Sequence, residues 1–124
     1  STDAMDLKDR VAFEKLSQVM QSEQLYKNHG LSIGELASEV GLAEHHLRKL
    51  INQTLGYRNF SSYLNLYRIE AVKELLANQD KLRTPILTLA LDCGFSSLAP
   101  FNRAFKASEH ITPTQFREQA QSNK

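Results

Sequence analysis

The chain has 124 residues, 41% of them apolar and 23% charged, which is the composition of an ordinary globular domain. Its formal net charge of only +1 argues against strong, indiscriminate binding to nucleic acid. No apolar run approaches the ~20 residues of a membrane-spanning helix, and no signal peptide precedes the domain, so we expect a cytoplasmic location and no membrane contact by this part of the protein. Because the chain begins with Ser1, we expect it to be a processed or truncated piece of a longer protein.

Helix start and stop signals recur along the chain, and no segment shows the two-residue alternation of a β-strand. We therefore predict an all-α fold of about seven helices. The first helix is predicted over residues 6–26, where Phe13, Leu16 and Met20 share one face. We interpret residues 1–30 as an N-terminal helix that connects to a region missing from this chain.

The second and third helices are predicted from an N-terminal cap, a glycine turn between them and a glycine that ends the third helix. Ser32 and Glu35 have the spacing of a capping box, in which each side chain accepts a hydrogen bond from the other residue's backbone. Gly41 supplies a tight turn, the third helix covers residues 44–55, and Gly56 ends it.

A long fourth helix over residues 59–77 is predicted to begin at Asn59 and to connect two modules rigidly. Residues 78–83 form a polar loop. Thr84 and Pro85 then predict the start of a fifth helix, with threonine as the cap and proline at the first helical position.

The last two helices have equally clear starts. The sixth is predicted over residues 97–108, with Ser97 as its cap and Pro100 in its first turn, where a missing N–H is harmless. Thr112 and Gln115 form a second capping box and begin a short closing helix. Residues 120–124 are predicted to fray.

The strongest pattern is an internal repeat. Five residues of the second helix and its turn recur 53 positions later, and after the glycine the offset becomes 54 because the second turn is one residue longer. The pairs are Ile33 and Ile86, Leu36 and Leu89, Ala37 and Ala90, Val40 and Cys93, Gly41 and Gly94, Leu47 and Phe101, and Ile51 and Phe105. The repeat predicts two helix-turn-helix units, over residues 31–58 and 78–119, each with a recognition helix for the DNA major groove.

The motifs between residues 31 and 119 resemble the C-terminal DNA-binding domain of the AraC/XylS family of bacterial transcription regulators. They are Leu36-Ala37, Gly41-Leu42, Leu47 and Gly56; Phe60, Tyr63-Leu64, Arg68, Ala71 and Leu75-Leu76; Ala90, Gly94-Phe95-Ser96-Ser97, Phe101-Asn102-Arg103, Phe105-Lys106, Thr112-Pro113 and Phe116-Arg117. The resemblance implies two subdomains joined by the fourth helix, and an N-terminal sensing or dimerising domain. It also implies sequence-specific binding to double-stranded DNA. We expect a contact with RNA polymerase, and the sequence leaves open whether the protein is an activator or a repressor.

Base recognition is expected from the outer faces of the two recognition helices. In the first unit Leu47, Leu50 and Ile51 face the core, which leaves His45, Arg48 and Lys49 to meet base edges. In the second unit Asn102 and Arg103 are the polar candidates, and Leu98 and Ala99 can touch thymine methyl groups.

Phosphate contacts are expected from nearby cations and from helix starts, whose exposed amides attract anions. The candidates are Ser32, Asn52, Arg58, Asn59, Thr84 and Lys106. The charge distribution agrees, because residues 1–47 carry a net charge of −4 and residues 48–124 a net charge of +5. Arg68 lies within the fourth helix, and we expect it to brace the fold rather than to approach DNA.

The chain departs from the family pattern at several positions. Ala43 replaces a capping Ser or Thr, Ile51 replaces a Phe, and His110 stands where glycine is usual. Leu98, Ala99 and Pro100 occupy positions that often offer polar side chains to bases, which puts base recognition by the second unit in doubt.

The residues also bear on two other classes of function. An enzyme is disfavoured because no Gly-rich phosphate loop, nucleophile elbow or metal-ligand cluster is present, and the adjacent His45 and His46 make a poor metal pair. We expect no cofactor and no metal, and Cys93 is expected to be a small buried residue. The alternative that stays open is a helical protein-interaction module that keeps the fold without recognising DNA.

Overall fold

The computed structural model describes residues 6–123, and each regular element within that range is helical. The α-helices are α1 (Leu7–Gln21), α2 (Ile33–Val40), α3 (Glu44–Lys49), α4 (Phe60–Ala77), α5 (Ile86–Asp92), α6 (Leu98–Glu109) and α7 (Pro113–Ser122). The predicted all-α fold of seven helices is confirmed. The chain divides within α4 into an N-terminal unit and a C-terminal unit, with the boundary between Leu64 and Asn65.

The first helix is shorter than the sequence predicted. Asp6 caps α1, as expected for an acidic residue at a helix start, but the helix ends at Gln21 instead of Tyr26. Gln24 then adopts the left-handed conformation with φ of 54°, and Leu25–Lys27 forms one turn of 3₁₀-helix. A left-handed residue cannot continue an α-helix, so the predicted end was wrong.

The first helix-turn-helix has the local structure that its sequence predicts. Ser32 Oγ accepts a hydrogen bond from the backbone N–H of Glu35, and the Ser32 N–H donates to Glu35 Oε1, both at 3.1 Å. Gly41 turns the chain with φ of 73°, a conformation that glycine adopts at little steric cost. Beyond α3, residues Leu50–Thr54 form a π-helical turn, and Gly56 follows with φ of 82°.

The core of the N-terminal unit draws on several helices. Its fully buried side chains from the first three helices and the π turn are Leu16, Val19, Met20, Leu36, Leu47, Leu50 and Ile51. At the start of α4, Tyr63 is also buried and meets the ring of Tyr57 edge-on, at 5.2 Å between centroids. Because α1 supplies buried residues, it is an integral part of the unit that holds α3.

The start of α5 differs from the prediction by one residue. The helix begins at Ile86, so Pro85 is the cap residue rather than the first helical residue, and no side-chain hydrogen bond caps the helix. Thr84 does not cap α5; its carbonyl instead accepts a hydrogen bond from Arg117 Nη2 at 2.7 Å. Ser97 does occupy the cap position of α6, but its side chain makes no capping hydrogen bond.

The C-terminal unit has an aromatic core. Its buried residues are Ile69, Val72, Leu76, Leu89, Ala90, Cys93, Phe95, Phe101 and Phe105. The ring of Phe105 lies 5.6 Å from those of both Phe101 and Phe116, at centroid distances typical of favourable ring pairs. The burial of Cys93 confirms the expectation for this residue.

The closing helix is longer than expected. Its predicted capping box is confirmed, with hydrogen bonds of 3.1 and 2.9 Å between Thr112 and Gln115. However, α7 continues to Ser122, and Gln121 Nε2 donates to the carbonyl of Leu76 at 3.0 Å. The predicted fraying is therefore wrong for residues 120–122, and residue 124 lies outside the described range.

Two departures from the family pattern have the expected local consequences. Ala43 is the cap residue of α3 and provides no side-chain hydrogen bond, which forgoes about 0.5–2 kcal/mol of helix stabilisation. His110 ends α6 in the left-handed conformation with φ of 67°. Glycine would adopt this conformation with less strain.

Candidate nucleic-acid interface

One face of α3 is exposed and carries the side chains predicted to meet bases. His45, Arg48 and Lys49 are all exposed, whereas Leu47 is fully buried. Asn52 follows on the π turn and is exposed as well. The predicted division of this helix into a core face and an outer face is confirmed, and the outer face offers an imidazole, a guanidinium and an ammonium group.

An acidic residue, which the sequence analysis missed, also belongs to this surface. Glu44, the first residue of α3, accepts a hydrogen bond from Arg48 Nη2 at 2.9 Å, and both side chains are 53% exposed. Their i,i+4 spacing is the standard sequence signal for such a pair. Arg48 is therefore oriented by a neighbour on its own helix.

A second contact connects α3 to α1 within the N-terminal unit. His46 Nε2 lies 3.2 Å from Asp9 Oδ1, and both side chains are mostly shielded from solvent. His46 thus has a partner in the fold, while its neighbour His45 is exposed. The contact helps to fix the recognition helix on its unit.

The second recognition helix, α6, begins with an apolar turn. Leu98, Ala99 and Pro100 are exposed, and one turn later Asn102 and Arg103 are exposed too. On the opposite side, the helix inserts its phenylalanines into the core. The outer face of α6 thus combines apolar atoms near its start with amide and guanidinium donors further along.

A cleft of about 820 Å³ lies beside this face in the C-terminal unit. It is lined by Ile86, Leu98, Asn102, Arg103, Lys106, Ala107, Thr112, Pro113 and Thr114. Apolar side chains and two cations suit a ligand that is partly apolar and partly anionic, as a sugar-phosphate strand is. No sequence pattern pointed to this cleft, because it forms only where the starts of α5 and α7 approach α6.

The start of α4 has favourable features for a phosphate contact. Asn59 Oδ1 accepts a hydrogen bond from the Ser62 N–H at 2.8 Å, which confirms its predicted role as a cap. The helix has 18 residues and no acid in its first turn, and Arg58 is exposed directly before it. An exposed cation beside a helix N-terminus attracts anions.

Two other phosphate candidates have less favourable surroundings. At Ser32 the Glu35 carboxylate already accepts from the backbone N–H, which brings negative charge to the start of α2. Thr84 precedes α5 without capping it, and its carbonyl is bound by Arg117. Lys106, by contrast, is exposed and lines the cleft.

Arg68 is buried in the C-terminal unit, with only 9% of its surface exposed. Its guanidinium carbon lies 6.0 Å from the ring centroid of Phe95, at the outer limit of a cation–π contact. Burial lowers the pKa of Arg68 from its ordinary value. These surroundings favour a role in packing over one in phosphate binding.

A metal-binding cluster and a membrane-spanning helix are both absent from the part of the chain that the structure describes. Residues 6–123 contain no cluster of three or more His, Cys, Asp or Glu side chains arranged to hold a metal ion. Within the same residues, no helix is long and apolar enough to span a bilayer.

Two helix-turn-helix units, each with an exposed recognition helix, define a DNA-binding domain of the helix-turn-helix class. A family model described as a helix-turn-helix domain matches residues 23–119. The chain belongs to the AraC-type helix-turn-helix family of transcription regulators. That family is not a class of enzymes.

Relatives and solved structures agree with this assignment. The chain is 41% identical over 104 residues to an uncharacterized HTH-type transcriptional regulator of Staphylococcus aureus, a match that covers 84% of this chain and 13% of that protein. It is 38% identical over 96 residues to the probable transcription factor PqrA of Proteus vulgaris, covering 77% of this chain and 75% of PqrA. The chain thus spans only about 13% of the length of the staphylococcal regulators that it matches.

Among solved structures, the fold is similar to that of a transcriptional regulator with an AraC-type DNA-binding domain from Chromobacterium violaceum. The TM-score is 0.75 at 25% identity, and the match covers 93% of this chain and 96% of the other. The C-terminal domain of AraT, a response regulator from Geobacillus stearothermophilus, gives a TM-score of 0.70 at 23% identity, covering 94% and 88%. The AraT match supports the fold alone.

Proposed function

We propose that this domain binds specific sequences in double-stranded DNA through its two helix-turn-helix units, and thereby regulates bacterial transcription. The observation that carries the proposal is the exposed polar face of α3, which presents His45, Arg48 and Lys49 while the opposite face is apolar and buried. The major groove of B-DNA admits an α-helix and displays a distinct hydrogen-bonding pattern for each base pair. Membership in the AraC-type family supports the same function.

In this proposal, the N-terminal unit supplies most of the specificity. A guanidinium can donate two hydrogen bonds to O6 and N7 of guanine, worth ~1–3 kcal/mol of discrimination when the geometry is good. Arg48 is already oriented on its helix by Glu44. His45 and Lys49 flank it and are assigned to neighbouring base edges.

The C-terminal unit mainly anchors the complex. Leu98 and Ala99 offer apolar contacts to thymine methyl groups, and Asn102 offers an amide, but the apolar start of α6 provides few hydrogen bonds to bases. Arg103 and Lys106 line the cleft and can hold the sugar-phosphate backbone. In this proposal the N-terminal unit recognises bases and the C-terminal unit holds the backbone.

Backbone contacts complete the proposed interface. Arg58 and Asn59, at the start of α4, have the most favourable surroundings, and the exposed Asn52 extends the surface of α3. The predicted phosphate contacts at Ser32 and Thr84 have weaker support. Such contacts place the protein on the duplex without recognising its sequence.

The wider role is also a proposal. The short span of the match to the staphylococcal regulators is consistent with a sensing or dimerising domain elsewhere in a longer protein. We further propose a cytoplasmic transcription regulator that contacts RNA polymerase.

The experiment that tests this function is selection from random duplexes, followed by a salt titration on the selected site. Counterion release predicts that log K falls with log salt, with a slope of about −0.9 per phosphate neutralised. Absence of binding at low salt, or affinity that salt does not change, would reject DNA binding. That outcome would favour a helical protein-interaction module, which the net charge of +1 also allows.

A second measurement tests the role assigned to Arg48. Arg48→Ala should reduce the preference for the selected site more than it lowers affinity for random DNA. Arg10→Ala is the matched control, since Arg10 is exposed on α1 and has no assigned contact with DNA. If Arg48→Ala weakens binding to all sequences equally, Arg48 is a phosphate contact.

A further inference from the structure

We propose that Glu44 is a specificity-determining residue of the N-terminal unit. Its carboxylate holds the guanidinium of Arg48 in a pose suited to a guanine and opposes contacts between Arg48 and phosphates. This inference rests on the proposed function of α3. It assigns a role in DNA recognition to an acidic residue on a surface otherwise rich in donors.

The geometry of the pair leaves donors available. Arg48 Nη2 donates to Glu44 Oε1 at 2.9 Å, which uses one of the five N–H groups of a guanidinium. Among the described residues, no other ion pair involves Arg48. A guanine edge can therefore accept hydrogen bonds from the remaining N–H groups while the Glu44 carboxylate keeps its hydrogen bond from Nη2. Exposed pairs at i,i+4 contribute little free energy, so this pair biases the guanidinium towards one pose without fixing it.

A second helix also constrains the carboxylate. A Cβ atom built on Gly34 of α2 would lie only 3.3 Å from Glu44 Oε2 and 4.0 Å from Glu44 Cδ. Gly34 therefore leaves space that the carboxylate occupies. One oxygen of Glu44 binds Arg48 on α3 and the other lies close to α2, so the carboxylate is located where these two helices approach each other.

Charge explains how this arrangement favours specific over non-specific binding. Non-specific affinity comes from contacts between cations and phosphates, and it is similar for every sequence. A carboxylate on the same surface repels phosphates within the Debye length of about 8 Å and competes with them for Arg48. A guanine edge is neutral and presents two acceptors, so it can bind Arg48 without displacing Glu44.

The test compares Glu44→Gln with wild type on the selected duplex and on a scrambled duplex, across a range of salt concentrations. We expect affinity for the scrambled duplex to rise, and the ratio of specific to non-specific affinity to fall by roughly threefold to tenfold, within the discrimination that one bidentate contact provides. Glu39→Gln is the matched control, because it removes the same charge from an exposed residue of α2. The control should leave the ratio unchanged.

A double mutant separates an effect through Arg48 from direct base recognition. In an Arg48→Ala background, Glu44→Gln should change the ratio much less than it does in wild type, because only the direct repulsion of phosphates is left. If the change is as large as in wild type, Glu44 acts without Arg48, for example by contacting the amino group of cytosine, and the proposal is wrong.

Gly34→Ala provides an independent variant that should remain folded, because alanine favours a helix more than glycine does. The added Cβ would lie 3.3 Å from Glu44 Oε2, so the carboxylate must shift by a few tenths of an ångström, and the ratio should fall in the same direction as in Glu44→Gln but by less. If wild type selects a site and Glu44→Gln has the same ratio as wild type, this inference fails alone. If wild type binds no DNA, the proposed function fails with it.

Discussion

Arg117 joins the closing helix to the segment before α5, and its removal should measurably destabilise the domain. Its Nη1 donates to the carbonyl of Leu82 at 3.0 Å and its Nη2 to the carbonyl of Thr84 at 2.7 Å. Hydrogen bonds to charged groups contribute about 1.5–3 kcal/mol each. The Leu82 bond is exposed, and the buried Nε of Arg117 has no partner among the described residues. We therefore expect Arg117→Ala to lower the free energy of unfolding by only about 2–3 kcal/mol.

Urea denaturation followed by circular dichroism measures this loss directly. In thermal denaturation it corresponds to a decrease in Tm of roughly 6–15 °C for a domain of this size. Arg117→Lys is the informative control, since lysine keeps the charge but lacks the planar fork that binds two carbonyls at once. It should lose about half as much. A loss below about 0.5 kcal/mol for Arg117→Ala would refute the reasoning, because one charged hydrogen bond already exceeds that value.

Three further predictions concern the C-terminal unit. Phe105→Ala should cost about 3–5 kcal/mol in urea denaturation, and a cost below 1 kcal/mol would contradict the close packing of this fully buried ring. His110→Gly should raise the free energy of unfolding by about 1 kcal/mol by relieving the left-handed conformation, and a decrease would count against strain there. Burial raises the pKa of Glu109, but hydrogen bonds from Ser108 and Lys73, with attraction to Lys73 and His110, outweigh it and lower that pKa from its ordinary value of 4.5. The resulting stabilisation is present above pH 4.5 and is lost as the pH falls through the folded pKa. Glu109→Gln should thus flatten the acid limb of a plot of Tm against pH, and unchanged slopes would exclude this contribution.

Lys73 makes a corresponding contribution to stability that is lost at alkaline pH. Burial lowers the pKa of Lys73, but hydrogen bonds to Glu109 and Glu70 and attraction to both carboxylates outweigh burial and raise it above 10.5. The stabilisation is present below that ordinary value and is lost as the pH rises through the folded pKa. At neutral pH both contributions are therefore in place.

Features that depend on a few neighbouring residues could be predicted from the sequence. Ser32 with Glu35, and Thr112 with Gln115, are capping boxes in the structure because each involves a backbone N–H only three residues away. The left-handed Gly41 was predictable for the same reason, since its conformation is a local property of the chain. The repeat also placed both recognition helices correctly.

Predictions failed where a distant group decides the local structure. Thr84 and Pro85 have the sequence of a helix start, but Arg117, from 33 residues further along the chain, binds the Thr84 carbonyl, and α5 begins one residue later than predicted. The predicted fraying of the C-terminus overlooked Gln121, which binds a carbonyl 45 residues away. Neither partner could be inferred from spacing along one helix.

The sequence by itself determined the two helix-turn-helix units, their caps and turns, and which side chains of α3 are exposed. These follow from helical periodicity and from short-range hydrogen bonds, which act over one or two turns. Only the tertiary structure decided that α1 supports α3 through His46 and Asp9, that a cleft lies beside α6, and that Gly34 makes room for the carboxylate beside Arg48. The physical reason is that these features depend on how separate helices approach one another, and this approach is set by the packing of the whole core.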